Sequence, residues 1–226
     1  MYSERPEETL RLLQLCSPTL PVGAYAYSQG LEFAVSSKWV FDETSTSLWI
    51  QGLLENSLTY LDVPILSRLY NGWSSQDKNE VLFWNDFLFA NRDSKEIQEE
   101  EQQLAQALSR LLVDLDIAEA GEWKKKPRAC FLSLFTLGAV RWEISLHNAV
   151  LGYLRMWAEN QVLVAIKLVP IGQTSGQRIL SSFTSIIPNC VTKGLSLEDE
   201  EVGYTSPGQG IASALHETQY TRLFRS

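Results

Sequence analysis

Few residues in this sequence have types and spacings that do chemistry by themselves. The two histidines, His147 and His216, sit in no serine or cysteine motif that would make either one the base for a nucleophile. His147 follows Glu143 by four residues, the spacing of a pair on one helix face rather than of an acid/base couple. His216 and Glu217 are adjacent, so on a helix they point about 100° apart and cannot chelate as a pair. One His216 from each of two copies could still meet across a two-fold axis. Cys16, Cys130 and Cys190 are far apart and in no C-x-x-C spacing. They read as reduced thiols of a cytosolic protein, not as a disulfide framework or a structural zinc site. There is no G-x-x-x-x-G-K-[ST] and no G-x-G-x-x-G after a strand, and Gly23 and Gly30 form no phosphate cradle. The sequence therefore predicts no catalytic residue, no metal site and no stably bound cofactor. A chain of this size without such machinery is expected to act by binding proteins.

Four places break the ordinary pattern. Lys167 is the one charge in V-L-V-A-I-K-L-V-P at 162–170. It must snorkel near the helix end, find an ion pair or face a partner. Glu32 stands between Leu31 and Phe33, either as an exposed position of an amphipathic helix or as a partner contact. In P-I-G-Q-T-S-G-Q-R at 170–178, Gln173, Gln177 and Arg178 surround Gly172 and Gly176, as in a helix–loop–helix corner. The run H-E-T-Q-Y-T-R-L-F-R-S at 216–226 sets Tyr220, Leu223 and Phe224 between Arg222 and Arg225. Aromatics with arginines are what interface hot spots are made of. A helix folded back on the core would explain the apolar residues but not the basic rim.

Bulk properties narrow the class. The chain has 226 residues, 45% of them hydrophobic, and a formal net charge of −8. That is enough for one large domain with a sizeable core, and the acidic balance argues against nucleic acid or an anionic membrane as partner. The start, MYSERPEETL, is too polar for a signal peptide. The apolar run from Ala129 to Val140 is short of the roughly 20 residues a spanning helix needs. A cytoplasmic protein is expected.

The elements that must position these residues are helical. Pro6-Glu7-Glu8 opens a helix with Leu10, Leu13 and Cys16 as its stripe. Pro18 and Pro21 mark a break, and helical spacing resumes from Tyr25 to Trp39. Asp42 or Thr44 caps a helix to about Leu61. Another runs from Asp62-Val63-Pro64 to about Asn71-Gly72, and Ser74 or Ser75 caps the next, through Phe89. Ser94 to Leu115 is the clearest amphipathic helix, with Glu99 to Gln103 as a solvated run. After a charged loop at 121–127 come an apolar helix at 129–138 and a longer one at 144–168, apolar nearly all round and so central. A break at 170–176 precedes a helix at 177–187. Residues 193–210 form a loop, and a last helix spans 211 to about 223. The expectation is a single all-α domain over 1–226: roughly ten helices around the central one, with a partner-binding tail at about 216–226.

On L-P-V-G-A-Y-A-Y-S-Q-G-L-E at 20–32, K-L-V-P-I-G-Q-T-S-G-Q at 167–177 and the 216–226 run, the chain resembles the UreF family of urease accessory proteins nearly end to end. The run N-R-D-S-K-E-I-Q-E-E-E at 91–101 is a looser match, with Ala105 where the family tends to have glycine. The resemblance implies an all-α homodimer without catalysis of its own. It would bridge a UreD/UreH-type accessory protein to a UreG-type GTPase, so that nickel, handled by the complex, reaches apo-urease with its carbamylated lysine. Glu32 and Lys167, with Tyr25, Tyr27 and Gln29 beside them, match positions implicated in contacting the GTPase. His216, Glu217, Tyr220, Arg222, Leu223, Phe224, Arg225 and Ser226 match the segment that binds the second scaffold. Pro21, Gly23, Gly30, Pro170, Gly172, Gln173, Gly176 and Gln177 would shape the two loops. A second reading makes the chain an activator of the GTPase, with Arg178, Arg222 or Arg225 as an arginine finger.

Overall fold

Pro6 takes the first turn of α1 (Pro6–Leu15), where its missing amide costs nothing, and Glu7 and Glu8 complement the positive helix end. The computed structural model, which describes residues 5–226, continues all-α with no strand among those residues. A short 3₁₀ turn at Ala24–Ala26 leads to α2 (Leu31–Ser36). Asp42 then caps α3 (Glu43–Leu53) in a reciprocal box with Ser45. One π-helical turn, Leu54–Leu58, joins it to α4 (Asp62–Ser75). α5 (Lys78–Ala90) and α6 (Lys95–Asp114) follow, capped by the side chains of Asp77 and Ser94. After a 3₁₀ turn at Ala118–Trp123 come α7 (Phe131–Arg141), α8 (Leu146–Leu168), α9 (Gln173–Ser182), α10 (Ile186–Leu195) and α11 (Pro207–His216).

The sequence expectation of a bundle around an apolar central helix holds. α8 touches α1, α2, α3, α4, α7, α9 and α10, and buries Ala149, Val150, Leu154, Ala158 and Val162. The main core gathers residues from every helix from α1 to α10 except α2. A smaller apolar cluster forms at the C-terminal end of α8, where Val164, Ala165 and Val169 meet Leu31 and Ala34 of α2, Val40, and Phe224. Gly176 lets α9 lie against α8, because a Cβ there would stand 2.6 Å from Ile166 Cδ1. No helix of the described residues is long and apolar enough to cross a membrane. All three cysteines are free thiols.

Several local expectations change. In α1 the exposed leucines are Leu10 and Leu13, whereas Leu15 is buried and Leu12 packs on the core; of the expected stripe only Cys16 packs inward. Leucine on both faces hides the choice. The helix expected over 25–39 is broken by left-handed backbone at Gln29 and Gly30, and only Leu31–Ser36 remains. The next-helix cap is Asp77 rather than Ser74 or Ser75, because α4 runs on through Ser75. The break at 170–176 closes by Gly172, and Gly176 is inside α9. The 193–210 loop is shorter, since α10 runs to Leu195 and α11 begins at Pro207. The last helix ends at His216, and the remaining residues run on as turns and extended chain. Glu143 lies before α8 with φ +53°, so it does not share a helix face with His147; it faces Arg5 instead. Residues 1–4, including the start of the MYSERPEETL run, lie outside the described residues.

Candidate functional site: a clasp around residues 216–226

The acidic run of α6 is only partly a solvated face. Ile97, Leu104, Ala105 and Leu108 define its buried stripe, and Glu100 and Glu101 lie between them at the same helical spacing, 3% and 7% exposed. Glu101 ties Arg92, whose Nη2 also meets Asp62 Oδ1 at 2.7 Å; Tyr153 donates to the same Asp62 oxygen at 2.7 Å. Glu101 also accepts the amide of Phe131 at the start of α7, at 2.7 Å. This buried network joins α4, α6, α7 and α8. Each charge has a partner, as a buried charge requires.

Glu100 lines a cavity of about 120 Å³ together with Gln29, Trp157 and the network residues Asp62, Arg92, Glu101 and Tyr153. Gln29 Nε2 donates to Glu100 at 2.8 Å and accepts at Oε1 from the indole of Trp157, also at 2.8 Å. Ser226 Oγ reaches the second Glu100 oxygen at 2.9 Å. Burial pushes the Glu100 carboxyl up to about 7, and the neighbouring Glu101 charge adds to that against the Gln29 and Ser226 donors.

Glu32 organises the 216–226 segment. It lies in the first turn of α2 and is 7% exposed. Its Oε1 accepts the amide of Leu223 at 2.7 Å and its Oε2 the amide of Phe224 at 2.9 Å. His216 Nε2 lies 3.1 Å from the same Oε2, and His216 Nδ1 lies 2.7 Å from Glu96 Oε2. Arg222 closes the circuit on Glu96 Oε1. Below this, Phe224 fills the smaller apolar cluster under the ammonium of Lys167, 5.5 Å from the ring centre. Arg225 N donates to Ala26 O, and Ser28 N to Ser226 O. Arg225 Nη1 and Tyr27 Oη both donate to Gln103 Oε1, at 3.1 and 2.6 Å. Glu217 Oε1 accepts the first amide of α6, from Lys95, at 3.0 Å, where a carboxylate suits the helix end.

The loop and the tail expected from sequence are therefore one site. Tyr27, Gln29 and Glu32 meet His216, Leu223, Phe224, Arg225 and Ser226 either directly or through one side chain. Gly30 permits it: its φ is +85°, and a Cβ there would stand 2.8 Å from the Ser213 amide on α11. Lys167 is exposed except for its cover of Phe224. Tyr25, Tyr220 and Leu223 point outward, with Tyr220 fully exposed. The expectation that Glu32 is an exposed helix position is corrected, because the tail amides and His216 occupy its oxygens. His216 is enclosed, so it does not stand at a surface where a second copy's histidine could reach it.

In the 20–32 loop Pro21 is exposed and Gly23 sits at φ +86°. In the second loop Pro170, Gly172, Gln173 and Gln177 are exposed at the α8–α9 corner, while Ile171 packs against the cluster that holds Phe224. Arg178 donates to Glu43 through Nε and Nη2, at 2.8 and 2.6 Å, and through Nη2 to Ser175 as well. The residues that sequence reasoning missed are Glu96, Glu100, Gln103 and Ser28. Glu100 carried a signal, its place on the apolar stripe of α6; Ser28 and Glu96 stand inside the 20–32 and 91–101 runs without being distinguished there, and Gln103 carried none.

The family model described as UreF matches residues 40–184, a stretch that lies wholly between the 20–32 loop and the tail. The chain is 49% identical to the urease accessory protein UreF of Alkalilimnicola ehrlichii over 216 residues, covering 96% of this chain and 95% of that one. It is 45% identical to the protein of that name from Teredinibacter turnerae, over 97% of this chain and 99% of that one. For Pseudomonas putida the figures are 43%, 96% and 97%.

Proposed function

The chain belongs to the UreF family of urease accessory proteins, and on that premise we propose that it is a non-catalytic scaffold of urease maturation. It bridges a UreD/UreH-type accessory protein and a UreG-type GTPase, and the assembled complex carries nickel, its cargo, to the urease apoprotein in the cytoplasm. Two copies act together as a homodimer, and neither holds a cofactor of its own.

The observation that carries this reading is the clasp. Outside it, Tyr25, Tyr220 and Leu223 stand exposed, as do Lys167, Arg222 and Arg225. Exposed aromatic and aliphatic surface rimmed by cations is the composition of a protein interface. Inside it, two amides, an imidazole and a guanidinium fix the tail on two carboxylates, so the outer residues are presented in one arrangement. The second scaffold takes the tail, and the GTPase takes the surface around Lys167. Glu32 serves that surface indirectly, by fixing what stands next to it.

The finger reading is less favoured. Arg178 is engaged by Glu43, Arg222 by Glu96 and Arg225 by Gln103, so each must leave a partner before it enters a nucleotide site. The test is maturation itself. Urease is coexpressed with its accessory proteins and either the wild-type chain or Lys167→Glu, and urease nickel content is measured. Loss of nickel with a soluble, folded Lys167→Glu chain supports the scaffold role; full loading overturns the assignment of this surface.

A further inference from the structure

The charged loop between the 3₁₀ turn at Ala118–Trp123 and α7 takes no part in the clasp, and it carries the densest positive charge of the chain. Lys124, Lys125, Lys126 and Arg128 put four cations into five residues of a molecule whose formal net charge is −8. Lys124, Lys125 and Arg128 are exposed and Lys126 is partly so. The acids that could neutralise them are used elsewhere. Glu122, two residues before Lys124, takes the Lys78 ammonium on both oxygens, at 3.0 and 3.1 Å. Glu119 takes Arg141. Asp86 of α5 accepts from the side-chain amide of Asn85 at 3.1 Å. Among the described residues none of the four loop cations is ion-paired. Lys126 alone has a partner, the ring of Trp123, 5.3 Å from its ammonium.

The backbone that carries these charges is anchored at both ends. Trp123 is 4% exposed and packs on Trp73 with ring centres 5.9 Å apart. At the other end Asn85, fully buried, donates to Arg128 O and accepts the Cys130 amide, both at 2.9 Å. Gln102 of α6 accepts the Arg128 amide at 3.4 Å. Arg128 itself sits at φ +58°, a left-handed conformation uncommon outside glycine. Like charges on an unanchored chain would spread apart. Here one fixed turn keeps them together, and their mutual repulsion is relieved only by an anion from outside.

We propose that residues 124–128 form a docking surface for an acidic segment of a partner protein, a short run of Asp and Glu. The chemistry of the loop selects this among polyanions. Stable attachment to a membrane takes an inserted apolar group besides the cations, and Trp123, Ala129 and Cys130 are all buried. Single-stranded nucleic acid takes a basic groove with aromatic rings on which bases stack. The loop offers four charges and no exposed ring, and the acidic balance of the whole chain opposes a long polyanion. A short acidic segment meets the four charges and nothing more, which is the pattern of electrostatic complementarity between proteins. No hydrogen bond among the described residues joins the loop to residues 216–226; its ties run to Asn85 of α5 and Gln102 of α6. The surface is therefore separate from the clasp, and its assignment does not rest on the partners proposed there.

An octaglutamate peptide carrying a fluorescent label is the probe, titrated with the full chain at about 0.05 M salt and followed by anisotropy. Lys124→Glu/Lys125→Glu is the test variant. Lys38→Glu/Lys193→Glu reverses two exposed cations elsewhere, reaches the same net charge and is the control. The expected result is saturable binding that weakens roughly tenfold or more in the loop variant and less than about threefold in the control. Equal weakening in both variants reports net charge alone and overturns the proposal. So does the absence of saturable binding, or tighter binding of oligothymidylate or phosphatidylserine vesicles than of the peptide. Circular dichroism checks that both variants keep their helicity. A map of ¹⁵N shifts on the unsubstituted chain decides without any variant: peptide-induced shifts should centre on residues 122–130, and shifts centred elsewhere overturn the assignment.

Discussion

The amide of Phe224 donates to the carboxylate of Glu32 at 2.9 Å, and Phe224 shares one apolar cluster with Leu31, the residue next to Glu32. One short helix thus holds the tail by a charged acceptor and by an apolar surface at once. Glu32→Gln keeps one acceptor oxygen but loses the other and the charge that faces His216. Tail docking should weaken by about 2 kcal/mol, the scale of a hydrogen bond to a charged group. Limited chymotrypsin digestion reads this, because Tyr220 and Phe224 lie in the segment. Cleavage there should accelerate while the helices between α3 and α10 stay resistant.

Gly30→Ala attacks the same clasp through the backbone. The φ of +85° and the 2.8 Å approach to the Ser213 amide leave no room for a methyl group. The expected loss is about 1–3 kcal/mol, from strain and from displacement of α11. A drop in melting temperature checks it, together with faster exchange of α11 amides than of α8 amides.

Arg92→Met removes the cation between Asp62 and Glu101 and leaves two buried carboxylates without their shared donor. Breaking a buried ion pair from one side costs about 3–5 kcal/mol. Urea unfolding should show a midpoint lowered accordingly. Adding Asp62→Asn and Glu101→Gln to the same chain should restore part of the loss, because the stranded charges are then gone.

Glu100 gives a pH prediction with a definite sign. Its folded carboxyl titrates at about 7, above the ordinary carboxylate range, because burial disfavours the charge. The folded state therefore holds a proton that the unfolded chain has released, in the window between about 4.5 and that value. This contribution to stability is complete below the window and is lost as pH rises through it. Glu100→Gln, neutral at every pH, should flatten that part of the stability profile. An unchanged slope in denaturant titrations across the window would contradict this.

The sequence carried the helical framework and both halves of the site, but not their union. Caps at Asp42 and Ser94 and the apolar 146–168 stretch are local signals, and they marked α3, α6 and α8. The loop at 20–32 and the run at 216–226 stood out because their residues fit no amphipathic pattern. That they meet depends on long-range contacts with α2 and α6, on which spacing is silent. Glu100 and Glu101 show the limit from the other side. Their position on the α6 stripe was readable, but a run of five acidic and amide residues reads as solvated until Arg92, Gln29 and Ser226 are placed beside it. In α1, Leu10, Leu12, Leu13 and Leu15 cover both faces, and only the positions of α7 and α8 select Leu12 and Leu15.

The most direct test of the scaffold role is size-exclusion chromatography with light scattering. The chain is mixed with its UreD/UreH-type and UreG-type partners, with and without Phe224, Arg225 and Ser226. A tail that anchors the second scaffold gives a two-fold ternary complex with the full chain and loses it on truncation. Failure of the full chain to form any complex, or a complex undiminished by the truncation, would contradict the role assigned to the tail.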